Sequence, residues 1–195
     1  MKLDLFPMFR RHQLTQATSV AFLKMKLRGE RLMFNFPDHA REMRKGEENA
    51  VDTLLREAFK NEGEANLVKA LRKSGQIAGE TVLPMGDRIV GYYALSTMIA
   101  PKRWLCLAPV AVAPDVQGRN FGLRMMGMLT EWARLSKTTV VVLGAVPFFE
   151  RAGFSTVRAA NLTSPYPITN TMLAGDGKNA PTETLIYPKA FADLD

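Results

Sequence analysis

The sequence predicts an α/β domain with a mixed sheet between two layers of helices, and three observations support this fold class. Residues 105–113 form an uncharged β-type run, and residues 140–143 form a second run that is entirely apolar. Between them, residues 123–133 carry apolar side chains at helical spacing. A strand, a helix and a strand in succession predict a right-handed crossover between parallel strands. Finally, residues 77–85 and 88–97 flank a Gly-Asp pair, which is typical of an antiparallel hairpin.

The remaining elements follow from local patterns. Residues 40–44 resemble a weak first strand. The spacing of apolar residues predicts helices over 47–59 and 64–73, and a short helix over 147–152 that ends at a glycine. Further along the chain we expect a strand that starts within 154–159, a Pro- and Gly-rich loop over 164–177, and a last strand over 183–187.

Length and composition are those of one globular domain. The chain has 195 residues, of which 47% are hydrophobic, and this is enough for a sizeable core. No apolar run approaches the ~20 residues of a membrane-spanning helix, so no membrane span is predicted. Two histidines and one cysteine, Cys106, do not suggest a metal site. A lone cysteine excludes an intramolecular disulfide and fits a reducing compartment, so we expect a cytoplasmic protein.

The net charge of +7 is concentrated near the N-terminus. Residues 1–45 contribute +6, and the rest of the chain contributes +1. We therefore expect residues 1–35 to be a basic extension, either flexible or preceding the true start of translation, and residues 36–195 to form the domain. A solvated extension explains this charge without a ligand, although contact with DNA or another anionic surface remains an alternative. No specific nucleic-acid partner is predicted.

The polar loop after residues 105–113 carries the strongest functional signal. It reads Gln117-Gly118-Arg119-Asn120-Phe121-Gly122, and a helix follows. The first amides of a helix lack intrahelical acceptors and lie at the positive end of its dipole, so they attract anions. Glycine lets a phosphate approach the backbone closely, and Arg119 adds a full charge. A phosphate or pyrophosphate ligand is therefore predicted, although both the P-loop pattern and the GxGxxG pattern are absent.

The same hexapeptide resembles the Q/R-x-x-G-x-G/A signature of the GNAT acyl-CoA N-acyltransferases. The sequence Val-Ala-Val-Ala-Pro-Asp at residues 110–115 and the helix after the loop resemble the context of that signature. The sequence Phe-Phe-Glu-Arg-Ala-Gly-Phe at residues 148–154 resembles the Y-x-x-x-G-F segment of the family. The resemblance covers residues 41–191, is tightest over 105–154, and is strongest to small, stand-alone bacterial members.

This resemblance implies the GNAT fold, in which a splayed central strand pair holds the pantetheine arm of CoA. Pro109 interrupts the strand at 104–113, as a proline does at a bulge. Backbone groups of Val110 and Val112 would then pair with the pantetheine amides, and an N–H near Val112 would polarise the thioester carbonyl. The residues implied to bind acetyl-CoA are Val110, Ala111, Val112, Gln117, Gly118, Arg119, Asn120, Phe121, Gly122, Leu123 and Phe149.

Two positions depart from the family pattern. Asn120 replaces its first glycine, which is a mild change because asparagine tolerates the left-handed region. Phe149 replaces the tyrosine that many members use as an acid, so we expect either water or Tyr166 to protonate the thiolate. For Phe148 and Phe149 we expect a packing role.

No general base can be assigned from the sequence. On the central strand only Cys106 is available, and it reads as a small buried hydrophobe. Glu80, Tyr92 and Tyr93 on neighbouring strands are candidates, and the two tyrosines point to opposite faces. An amine that arrives neutral through water would need no base.

Two functional hypotheses follow from the resemblance. The first is acetyl transfer from acetyl-CoA to an amine of a small molecule or peptide, by direct attack in a ternary complex. The alternative is a catalytically weakened acyl-CoA-binding sensor or partner protein, which the phenylalanine at position 149 motivates. The resemblance also makes a homodimer possible.

Overall fold

The computed structural model describes residues 38–193. The basic extension expected at residues 1–35 lies outside the described residues. The elements, in chain order, are β1 (Arg41–Glu42), α1 (Glu48–Phe59), α2 (Gly63–Lys73), β2 (Ile77–Met85), β3 (Arg88–Thr97), β4 (Leu105–Val112), α3 (Phe121–Leu135), β5 (Val140–Leu143), α4 (Val146–Arg151) and β6 (Thr171–Ala174).

The six strands form one mixed sheet in the order β1-β2-β3-β4-β5-β6. Neighbouring strands are antiparallel, except that β4 and β5 run parallel. Helix α3 connects this parallel pair, as the strand–helix–strand pattern predicts. The predicted fold class, a mixed sheet with flanking helices, is confirmed.

Helices α3 and α4 cover one face of the sheet. A Cβ atom built on Gly91 of β3 would lie 2.7 Å from Met125 Sδ of α3, so this helix packs directly on the backbone of β3. Thr130 of α3 donates to the Ala152 carbonyl oxygen at 2.7 Å, just beyond the end of α4. The two helices therefore form one layer.

Helices α1 and α2 cover the opposite face. Arg72 of α2 forms an ion pair with Glu80 of β2 at 2.6 Å, and Tyr92 of β3 donates to the same carboxylate at 2.6 Å. An ion pair between Lys69 and Asp52, 2.8 Å apart, joins α2 to α1. The sheet thus lies between two helical layers.

Three predictions for the last 45 residues are wrong. Residues 154–159 contain one bridge, between Ser155 and Leu173, before the chain turns into a 3-10 helix. Residues 183–187 form only isolated bridges, and the segment predicted as a loop contains strand β6. The cause is the same in each case, because pairing at the sheet edge depends on tertiary contacts and not on local pattern.

The remaining predicted elements lie close to their observed positions. Both strands of the hairpin have the predicted bounds, and Gly86 in its turn has φ +60°. Between residues 38 and 193, no helix is long and apolar enough to cross a membrane.

The close approach of α3 to Gly91 makes a testable prediction about stability. The Cβ atom of a Gly91→Ala variant would also lie 2.9 Å from Leu83 Cβ, so we expect a loss of about 1–3 kcal/mol in unfolding free energy. The control is Gly127→Ala in α3, where no atom lies within 4 Å of an added Cβ. That variant should gain about 0.5–1 kcal/mol, because alanine is the better helix former. Urea denaturation of both variants tests this, and equal stability would contradict it.

Candidate functional site

A β-bulge at Pro109 determines how β4 presents its backbone. Tyr93 and Leu95 of β3 are two residues apart, but their partners Val110 and Leu107 are three apart. Ala108 and Pro109 therefore share the single opposing residue Ala94. An extra residue of this kind bends the strand and ends regular pairing. The bulge expected at Pro109 is present.

Beyond the bulge, alternate backbone groups of β4 point away from β3. The Ala113 amide donates to the Val90 carbonyl at 2.8 Å, which makes this a hydrogen-bonded pair. Because such pairs alternate in an antiparallel ladder, Ala111 is also bonded to β3, whereas Val110 and Val112 direct their N–H and C=O groups towards β5.

Strand β5 does not reach these groups. Its parallel pairing with β4 ends at Leu107 and Val142, so the two strands separate before Val110. One of the freed groups has a partner, because the Gln117 side-chain amide donates to the Val112 carbonyl at 3.0 Å. The separation leaves an opening between the two central strands.

The loop before α3 adds a row of unpaired donors beside this opening. Within the described residues, no acceptor is present for the backbone amides of residues 118–123. Gly118 has φ +75° and Asn120 has φ +62°, so both lie in the left-handed region. Asn120 adopts the conformation that the sequence pattern requires at this position. The loop therefore presents unpaired amides at the N-terminus of a 15-residue helix, where the helix dipole favours an anion.

The opening and the loop together form a cleft of about 390 Å³. Nine of the eleven residues implied by the sequence line it: Val110, Val112, Gln117, Gly118, Asn120, Phe121, Gly122, Leu123 and Phe149. Ala111 and Arg119 do not. Ala111 is buried and bonded to β3, and Arg119 is exposed to solvent.

Three lining residues were missed as site residues: Val116, Phe148 and Arg151. Phe148 and Phe149 stack edge to face with their ring centroids 5.0 Å apart. Arg151 is the only charged side chain among the residues that line this cleft. The sequence contained a signal for it, because Arg151 follows Phe148 by three residues in a short helix, and residues three apart lie on the same helix face.

The charges around the loop favour an anion. The first turn of α3 contains no acidic residue. Asp115, the nearest preceding carboxylate, is paired with Arg88 at 3.0 Å, and this hydrogen bond lowers the pKa of Asp115. The charge of Asp115 is therefore compensated by Arg88, and it opposes an anion at the loop amides less than a free carboxylate would.

In the structure, each acid or base candidate from the sequence is buried or has a hydrogen-bond partner. Glu80 is held by Arg72 and Tyr92, so its carboxylate is not a free base. Burial raises the pKa of Tyr92 and of Tyr93, and neither lines the cleft. The hydroxyl of Tyr166 donates to the Phe191 carbonyl at 3.1 Å. Among residues 38–193, no group of three His, Cys, Asp or Glu side chains is placed to hold a metal.

A mixed sheet that opens beside an amide-lined helix N-terminus defines the GNAT class of acyltransferase fold. The sequence model described as the acetyltransferase (GNAT) family matches residues 38–154. The chain belongs to this family.

Individual relatives agree with this assignment. The uncharacterized N-acetyltransferase YhbS of Escherichia coli K12 is 27% identical over 151 residues, which cover 72% of this chain and 90% of that protein. A crystal structure of E. coli YhbS with CoA has a TM-score of 0.69 at 22% identity, covering 79% of this chain and 91% of the other. A GNAT acetyltransferase of Brucella melitensis with acetyl-CoA has a TM-score of 0.65 at 22% identity, covering 80% and 99%.

The left-handed residue in the loop gives a second testable prediction. Asparagine tolerates the left-handed region better than alanine does, so Asn120→Ala should lower the unfolding free energy by about 1 kcal/mol. Asn120→Gly should stay within ~0.5 kcal/mol of the parent, because glycine adopts this conformation without strain. Chemical denaturation of the three proteins measures this. If the alanine variant were as stable as the glycine variant, the loop would not have the conformation described.

Proposed function

We propose that this protein is an N-acetyltransferase that moves an acetyl group from acetyl-CoA to an amine of a small molecule or peptide. The amine attacks directly in a ternary complex. The main support for the proposal is that one cleft contains both the opening between β4 and β5 and the unpaired amides of residues 118–123. The relatives crystallised with CoA or acetyl-CoA support it.

The chain's residues fit the two ends of an acyl-CoA molecule. The amides of residues 118–123 are suited to bind a diphosphate, and Arg151 supplies positive charge in the same cleft. Val110 and Val112 are two residues apart, so their backbone N–H and C=O groups have the spacing of a strand edge. The amides of the pantetheine arm could pair with these groups as an added strand would. Phe148 and Phe149 provide an apolar wall for the alkyl parts of the arm.

Acetyl-CoA, when bound, supplies an acyl group already activated as a thioester. The protein's part is to hold the reacting atoms together and to place an N–H near the carbonyl oxygen, for which Val112 is the candidate. The phenyl ring of Phe149 has no acidic proton. We therefore assign to water the protonation of the CoA thiolate that leaves. We assign no residue of the chain as general base.

A covalent route through Cys106 is not part of the proposal. Burial raises the pKa of the Cys106 thiol to about 12, so it is not a thiolate near neutral pH. A thiol in that state is a poor nucleophile. Direct attack by the amine is the simpler chemistry for this site.

A thiol-release assay with acetyl-CoA and a panel of primary amines tests the proposed reaction. We expect turnover with at least one amine, together with acetyl-CoA binding by calorimetry. Binding without turnover on every amine would instead support the sensor alternative.

The pH dependence of the same assay tests the absence of a general base. Only the neutral amine attacks, so log(kcat/KM) should rise with a slope of about 1 up to the pKa of the acceptor amine. Burial raises the pKa of Tyr166 and of Tyr187, so both remain protonated and should add no second step. A break near pH 6–7 that is independent of the amine used would reveal a base in the protein.

A carboxylate at position 122 should abolish CoA binding. The Cβ atom of a Gly122→Asp variant would lie 3.4 Å from Phe148 Cζ and from Val112 Cγ2, inside the cleft. Its charge would face the bound diphosphate, and we expect the Kd for CoA to rise on the order of 100-fold or more. Gly127→Asp places the same charge on the same helix where nothing lies within 4 Å. It is the matched control and should bind CoA normally. Equal affinity of both variants would place the ligand elsewhere.

A further inference from the structure

The opening between β4 and β5 has a second side, on the face of the sheet opposite α3 and α4. Ala108 packs against the cluster that contains Cys106 and Val141, so it lies on this second face. Leu143 follows Val141 by two residues in β5 and therefore points to the same face. Val110 and Val112 line the cleft on the first face.

Leu143 shows that the sheet is uncovered at this point. Its side chain is 40% exposed, and among the exposed large apolar residues between 38 and 193 it is the only one in a strand. Its cross-strand partner Thr171 is fully buried and donates to the Pro167 carbonyl at 2.9 Å. Leu143 is thus exposed although its partner in β6 is buried, and it directly follows Val142, the last residue of β5 that pairs with β4.

Apolar and aromatic side chains pack against the cluster on this second face of the sheet. Ile168 and Tyr187 pack against the same cluster as Ala108. Tyr166 and Tyr187 stack edge to face with centroids 5.0 Å apart. Tyr166 and Ile168 belong to the segment that leads into Thr171, the partner of Leu143. We call Ala108, Leu143, Tyr166, Ile168 and Tyr187 the acceptor-side surface.

The acceptor-side surface carries no charge, and two phenol hydroxyls are its only side-chain polar groups. The Tyr166 hydroxyl donates to the Phe191 carbonyl at 3.1 Å. The Tyr187 hydroxyl oxygen is buried within the fold. What this surface offers a ligand is therefore mainly apolar contact.

We propose that the acceptor is a primary amine carried on an aromatic or branched aliphatic group, and that it reaches the thioester across the acceptor-side surface. This inference rests on the proposed acetyl transfer. Residues of α3 and α4 line the cleft beside Val110, so a thioester held there leaves the opposite face, with the exposed Leu143, as the approach for an amine. The amine nitrogen forms a bond to the acyl carbon as the C–S bond of the thioester breaks. The nitrogen loses one proton to water, and the CoA thiolate takes up one proton from water. The apolar group of the acceptor removes Leu143 and Ile168 from water.

Rates on a panel of amines test this inference with the unaltered protein. 2-Phenylethylamine and isopentylamine represent the proposed class, and 1,4-diaminobutane and spermidine represent cationic amines. We expect kcat/KM to be about 10- to 100-fold higher for the first pair, since burial of such a group is worth that factor. A preference for the cationic amines would overturn the inference and leave the proposed acetyl transfer intact. An absence of turnover on every amine, with acetyl-CoA bound, would overturn both.

A pair of variants tests whether the preference for apolar amines depends on the acceptor-side surface. Leu143→Asp should lower kcat/KM for 2-phenylethylamine at least 10-fold and leave the KM for acetyl-CoA unchanged. Leu135→Asp is the matched control, because Leu135 is 45% exposed at the end of α3, away from both faces of the opening. It should have the activity of the parent protein. The inference fails if the two variants behave alike.

Discussion

The extra residue of β4 opposite Ala94 is the constraint on which the site depends. Because of it, β4 bends away from β5 after Leu107, and the middle of a six-stranded sheet is left open. Unpaired backbone groups inside a sheet are normally costly, so such a gap persists only where water, a side chain or a ligand satisfies them. Here the Gln117 side chain satisfies the Val112 carbonyl. The groups of Val110 remain directed into the gap, available to a ligand.

Contacts outside the loop before α3 hold it in its position. Helix α3 lies directly on the backbone of β3, since residue 91 is a glycine and leaves room for Met125. The turn before the loop is tied to β3 by the pair of Arg88 and Asp115. Asn120 then holds the left-handed conformation from which the helix starts. Packing thus fixes the distance between the loop amides and the open strand, and a ligand that spans both needs that distance to be constant.

Local patterns in the sequence were sufficient for most of the fold and for the loop. The hairpin, α1, α2 and α3 are set by turn residues and periodicity within one segment. The edge of the sheet after α4 was not predictable, because the pairing of β6 depends on β5 and not on its own four residues.

Within β4, the sequence indicated a bulge at Pro109 and free backbone groups at Val110 and Val112. The family resemblance also placed Ala111 in the site, whereas the alternation of the ladder bonds it to β3. The exposure of Leu143 was not predictable from the sequence either. An apolar run predicts burial, and only the separation of β4 and β5 exposes its last residue.

The absence of a titratable acid or base among the residues that line the cleft is consistent with the chemistry proposed for it. A thioester is reactive, and a neutral amine attacks it without prior proton removal, so positioning can supply most of the rate enhancement. Glu80, a partly buried carboxylate of β2, is bound to Arg72, and separating the two would leave a charge without its partner in a largely buried place. If catalysis relies on position, then discrimination between acceptors relies on shape and polarity around the opening. The uncharged surface at Ala108 and Leu143 is where that discrimination would act, because the nitrogen must pass it to reach the acyl carbon.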